Sequence, residues 1–228
     1  MFDYLIDNFD IVLRALGEHV QMALVAVAIA IAVGVPLGVL ISYISPLKKP
    51  VVGAANVVQA IPSLAILGFL IPVMGIGVKP AVFMVVLYSL LPIIKNTATG
   101  LGSINREMVE AAYGIGMTRF QVLIRVKLPL ALPVIMAGVR IAAVTAVGLI
   151  TIACLIGAGG LGDVIYRGMG RTNIPQILAG AIPACILALA VDFVFSILER
   201  LITPACFKTT KTKDQPSNKQ IKNGGNAA

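Results

Sequence analysis

Residues that could do chemistry are few in this sequence, and the patterns they make fail on context. Gly157-Ala158-Gly159-Gly160-Leu161-Gly162 has the spacing GxGxxG. As a dinucleotide fingerprint it would need a preceding strand, a following helix and a βαβ unit around it. Here a long apolar run precedes it, so the glycines read as the end of a helix. His19 is the single histidine, and an imidazole without partners reads as interfacial rather than as a metal ligand. Cys154, Cys185 and Cys206 are isolated, with no CxxC pair, and imply neither disulfide nor metal site. A GxxxxGK[ST] phosphate loop is absent. With one histidine, no Ser-His-Asp or Cys-His set is available. No carboxylate cluster of the kind that relays protons lies in an apolar run. The chain therefore reads as a non-enzyme without cofactor, and energy for any work must come from elsewhere.

A few polar residues do lie inside apolar runs. Asn56, Gln59 and Ser63 recur at spacings of three and four, which puts them on one helix face. With Tyr88 they are candidates for lining a path. Uncharged polar residues in such runs either join helices or face water, and both readings stand. Arg140 lies about three turns into its run. An arginine there costs at least about 2.5 kcal/mol unless paired or hydrated. Asp192 lies at a comparable depth from the same side, so a structural ion pair between them is expected.

The elements that position these residues follow from composition. Of 228 residues, 58% are hydrophobic and none is Trp; mean hydropathy is +0.97. Soluble domains are about 45–50% apolar. The excess, gathered in long runs, implies an all-α, polytopic membrane protein of about five transmembrane helices. Net charge is +8, but Lys and Arg sit at the ends of apolar runs rather than in one stripe with aromatics. That distribution follows the positive-inside rule and argues against nucleic acid.

Residues 1–19 form an acidic amphipathic segment with Phe2, Leu5, Ile6, Phe9, Val12, Leu13 and Leu16 on one face. They lack the arrangement of a secretory signal. They read as a short outer interfacial helix, or as a contact for an extracytoplasmic protein. Spans are expected at Val20–Ile44, Val51–Met74, Pro80 to about Ile94 with extension past Lys95, Pro129–Leu155 and Ile174–Ile202, with Pro204 ending the last. Ser45 to Pro50 reads as a basic cytoplasmic turn, and Asp163 to Asn173 as an outer loop. Residues 205–228 read as a disordered, basic cytoplasmic tail. Basic residues put the N-terminus outside and the C-terminus inside.

The long polar interruption runs from Asn105 to Pro133. It reads as two short helices around a glycine corner. Asn105 caps the first, and Glu107 and Glu110 suit its dipole. Gly114 and Gly116 break it. Thr118 with Gln121 forms a capping box for the second, and Pro129 opens the next run. Such a hairpin is either a docking surface for a soluble partner or an element lying on lipid headgroups.

Glu110-Ala111-Ala112, three residues, Gly116, nine residues and Val126-Lys127-Leu128-Pro129 resemble the EAA pattern of ABC importer permeases, Glu-Ala-Ala, three, Gly, nine, Ile-x-Leu-Pro. Val126 for Ile is the departure. The resemblance spans about Val20 to Pro204. It implies that the hairpin is a coupling helix seated in an ATP-hydrolysing subunit, with Glu110, Ala111, Ala112, Gly116, Leu128 and Pro129 carrying the coupling. It further implies a second permease subunit, identical or homologous, two ATP-binding subunits, an extracytoplasmic substrate-binding protein and a prokaryotic plasma membrane. Gln59 to Pro72, Leu90 to Leu101 and Ile156 to Met169 resemble permeases for glycine betaine, carnitine or choline. The alternatives are a methionine-type or other amino-acid importer and, more remotely, a non-ABC channel or structural membrane protein.

Overall fold

The computed structural model describes Tyr4 and residues 7–202, and its regular elements are all helical. The first is α1, Phe9–Tyr43. A break near Val20 was the expectation, with an interfacial helix before it. The helix instead runs through without interruption. No proline stands between Phe9 and Val20, and Gly17 alone costs only about 1 kcal/mol. Thirty-five residues reach about 52 Å, longer than the hydrocarbon core, so α1 projects beyond it.

Helix α2, Ser45–Ala60, begins one residue later, after Ile44. The segment Ser45 to Pro50 is thus helical rather than a turn. Pro46 falls in the first turn, where its fixed φ suits a helix. Helix α3, Ser63–Met74, follows at an angle of 98° to α2. The expected single span from Val51 to Met74 is therefore a broken one. Helix α4, Val78–Gly102, continues well past Lys95.

Helix α5, Arg106–Gly114, and α6, Arg119–Val122, make the hairpin. Helix α6 does not stop before Pro129. A π-helical turn, Leu123–Lys127, carries it into α7, Leu128–Ala153. Pro129, in the first turn of α7, has no N–H to donate, and it falls where the ladder is already widened, so the helix can pass through. A single 3₁₀ turn, Cys154–Ile156, ends this element at left-handed Gly157. The expected outer loop from Asp163 is largely a further helix, α8, Leu161–Gly170. Helix α9, Ile174–Ile202, closes the described chain. Pro204 and the proposed tail lie outside the described residues.

Four of these helical stretches are long and apolar enough to cross a membrane, and five do so if α2 and α3 count as one span. Helix α4 is central, packed between α1 and α7. Small residues set the spacing. A Cβ on Gly34 would lie 2.8 Å from Ile93, and one on Gly38 2.5 Å from Thr97. On Gly138 it would lie 2.7 Å from the Pro92 carbonyl oxygen and 2.7 Å from the Asn96 Cβ. Lipid tails give helices no hydrophobic reason to associate, so this close approach and its dispersion contacts hold the bundle. Ala26, Ala30, Met84, Val85, Ala142, Ala146 and Ile150 fill the seam. Helix α9 packs on α7 and α8, but its apolar window is only 6% buried.

Gly138→Val is expected to lower the thermal midpoint of the purified protein, at a cost of about 1–3 kcal/mol from overpacking. Gly148→Ala, where a Cβ meets nothing within 4 Å, is the control. Equal midpoints for the two variants would refute the close seam.

Candidate functional site

The hairpin stands at one end of the bundle, where α4 finishes and α7 begins. Its shape comes from its caps. Asn105 Oδ1 accepts from the Glu107 N–H at 3.0 Å. Thr118 Oγ1 accepts from the Gln121 N–H at 3.3 Å, while Gln121 Oε1 accepts from the Thr118 N–H at 2.8 Å. Between the caps the chain turns on Gly116, whose φ of +85° is left-handed.

The hairpin exposes a face that a finished soluble surface would not. Ile115 is 75% exposed and Phe120 69%, with Met108 and Tyr113 also exposed. Ala112 alone in α5 is buried. Ala111 is exposed, and so is Glu110, whose link to Arg106 at 3.7 Å joins side chains 70% and 93% exposed. Such a pair adds little stability, so the carboxylate is held loosely. Leu128 and Pro129 start α7, half-buried and exposed respectively. The Lys127 ammonium sits 4.9 Å from the centre of the Tyr43 ring and ties the end of α1 to the π-helical turn.

The path candidates separate into different roles. Asn56 and Gln59 are exposed on α2 and Ser63 is half-buried at the start of α3. Tyr88 is buried on α4; its hydroxyl donates to the Ile61 carbonyl, and its own carbonyl accepts from Gln59 Nε2 at 3.2 Å. The 98° bend splits the helix face that the spacing of Asn56, Gln59 and Ser63 defined.

Arg140 and Asp192 meet in the middle of the bundle's α7–α9 contact. Arg140 Nε donates to Asp192 Oδ1 at 2.6 Å and Nη2 to Oδ2 at 2.7 Å. The fork matches the carboxylate plane and satisfies both oxygens. Arg140 Nη1 also lies 3.6 Å from Glu199 Oε2, about two helical turns beyond Asp192 along α9. Glu199 carried no sequence signal beyond its position near the end of a span.

At the opposite end the glycine-rich turn is held by α1. Gly157, Gly159 and Gly160 all have positive φ. Glu18 Oε2 accepts from the Gly160 N–H at 3.1 Å. His19 beside it is fully buried rather than interfacial, with Nε2 3.0 Å from the Val147 carbonyl oxygen. A signal for this was present: Val12, Ala15, His19, Met22 and Ala26 follow helical spacing and all lie on the buried face. The turn sits between a 3₁₀ turn and a helix, without the strand that a dinucleotide site requires. An open cleft of about 760 Å³ lies against it, edged by Asp10, Arg14 and Glu18 of α1 and by Asp163 and Arg167 of α8. Arg167 and Asp163 pair with each other at 2.8 Å. Among the described residues no group of acidic, histidine or cysteine side chains could hold a metal ion.

Comparison with known proteins agrees with this architecture. The family described as binding-protein-dependent transport system inner membrane component matches residues 15–208. The glycine betaine/carnitine/choline transport system permease protein OpuCB of Bacillus subtilis is 42% identical over 204 residues, 90% of this chain and 94% of that protein. OpuCD of the same organism, a permease of the same description, is 47% identical over 202 residues, 88% of each chain. The structure of the MetNI methionine ABC transporter in an inward-facing conformation superposes with a TM-score of 0.79 at 24% identity, covering 87% of this chain and 99% of that one, a likeness of fold.

Arg140→Ala leaves the Asp192 carboxylate without its fork, whereas Asp192→Ala leaves Arg140 beside Glu199. Arg140→Ala is therefore expected to lower the thermal midpoint of the purified protein more than Asp192→Ala does. The double replacement by Leu should recover part of that loss. The reverse order would show that the fork does not hold α9.

Proposed function

The chain belongs to the binding-protein-dependent transport system inner membrane component family, and from that premise we propose that it forms half the translocation path of an ATP-driven importer for osmoprotectants. Glycine betaine, carnitine, choline or a related quaternary amine is the substrate class. The observation that carries the importer reading is the capped hairpin with its exposed apolar face. A groove on a soluble partner would cover Ile115 and Phe120, while the exposed Glu110 remains available to pair at its rim.

The chain itself is a transport subunit and not an enzyme. Two ATP-binding subunits would bear on two such hairpins, with two permease subunits enclosing the path and a substrate-binding protein on the far side. The hairpin end is then cytoplasmic, and the glycine-turn end with the N-terminus is outside. Residues 205–228 form a basic tail on the cytoplasmic side. Glu110, Ala111, Ala112, Gly116, Leu128 and Pro129 carry the coupling. Force on α5 passes through the capped corner and the π-helical turn into α7 as one body, because the capping box leaves the corner little freedom. Asn56, Gln59 and Ser63 border the path, and the Arg140–Asp192 fork is structural. The relatives' substrates support quaternary amines over methionine, whose transporter is similar to this chain at the lower identity.

Two measurements test this reading. In cells lacking the gene and grown in high salt, restoring it should restore uptake of labelled glycine betaine, carnitine or choline. Recovery of methionine uptake alone would overturn the substrate class.

Gly116→Pro and Glu110→Lys should insert normally, lose transport and retain less ATPase subunit on purification. At Gly116 any β-branched residue would also meet the left-handed cost of about 1–2 kcal/mol. Unchanged uptake in both variants would refute the coupling role.

A further inference from the structure

The broken span α2–α3 holds an unusual backbone position. At Ile61 and Pro62 the chain leaves one helix and enters another at 98°. Ile61 is extended, with φ −77° and ψ 132°, and Pro62 likewise, with φ −57° and ψ 136°. The Ile61 carbonyl therefore belongs to neither helical ladder. Beside hydrocarbon, a carbonyl in that position needs a donor from protein or water.

Tyr88 supplies the donor. It lies about 15 Å along α4 from its start and is only 8% exposed. Its hydroxyl donates to the Ile61 carbonyl. Gln59, in the last turn of α2, donates back to the Tyr88 carbonyl at 3.2 Å. One residue of α4 thus grips the break through both its side chain and its backbone. Among the described residues these are the side-chain hydrogen bonds that join the broken span to another helix.

Helix α3 beyond the break is lightly held. Ile66 and Leu67 are its buried residues, with Leu70 half-buried beside them, while Leu64, Phe69 and Val73 are exposed. Its far end turns on Gly75 and Gly77, with φ of +78° and +105°. There the Gly77 N–H donates to the Ile156 carbonyl at 2.8 Å. The element is a short lever between two tethers, with a narrow packed stripe and an extended dipeptide at its root. Two extended residues can take up a rotation that a continuous helix would resist.

We propose that Tyr88 is a positioning residue for transport: its grip on Ile61 sets the angle between α2 and α3. Turning α3 about Ile61–Pro62 is the movement that changes access along the path. This rests on the importer reading above. Tyr88 itself does not line the path. It acts through the break, and in this structure the grip is made.

The test uses the whole importer, with its ATPase subunits and binding protein, reconstituted in lipid. Tyr88→Phe keeps the ring and removes the hydroxyl. Loss of one hydrogen bond should speed deuterium exchange of the backbone over residues 57–68 by ~2- to 10-fold. Substrate moved per ATP should fall with it. Gln59→Leu should speed exchange over the same residues without touching the ring, and it serves if the first variant fails to assemble. Unchanged exchange overturns the grip whatever the uptake. Faster exchange with unchanged substrate per ATP overturns the role in transport and leaves the importer reading intact. Absence of binding-protein-dependent uptake by the unaltered complex overturns the importer reading, and the transport role with it.

Discussion

A peptide group in hydrocarbon has no water to bond, and most of this structure follows from where the chain meets that demand and where it departs from it. Helices α1, α4, α7 and α9 satisfy it internally except where an interior proline (Pro36, Pro92, Pro133 and Pro183) withholds an N–H. This is why α1 ignores the amphipathic boundary at Val20 and why α6 flows into α7 through a π-helical turn instead of stopping at Pro129. Ending a helix frees backbone N–H and carbonyl groups that need another partner. At several of these ends a side chain is assigned to a freed group. The hairpin has Asn105 and Thr118, the glycine turn has Glu18, and the break at Ile61 has Tyr88.

Packing then supplies what the backbone does not. Water does not drive these helices together, so contact must come from backbones lying close. Gly34, Gly38 and Gly138 face α4 or lie on the helix it touches, and each meets a neighbour with no room for a Cβ. The result is a rigid centre of α1, α4 and α7. Around it hang three lightly packed parts: the lever α3, the peripheral helix α9, and the hairpin. A transporter needs this division, because a moving wall must slide on something that does not deform.

Charge is used sparingly, and at α9 it serves in place of a core. That helix buries little apolar area, so its place depends on the forked Arg140–Asp192 contact with α7 and on the close approach of Gly180 to Ile165 of α8. The hairpin shows the opposite balance. Its caps are complete, yet its apolar side chains remain uncovered. A surface that is well ordered but unfinished is what the proposed docking role requires.

Length and hydropathy of the runs determined the fold class, because a bilayer selects on local properties: about 20 apolar residues, flanking basic charge, and glycine or proline where a helix ends. Cap chemistry is local too, so Asn105, Thr118 and the corner at Gly116 were legible, and the depth of Arg140 and Asp192 sufficed to match them. Tertiary structure decided the rest. Whether a helix continues past Val20 or Pro129 depends on what its freed backbone groups would meet, which no run of residues states. His19 reads as interfacial until its face is seen pressed on α7. The break at Ile61–Pro62 needs a donor from α4, twenty-seven residues away in sequence. Pro62 stands at that point, but the 98° bend and the residue that holds it arise only from contact between elements.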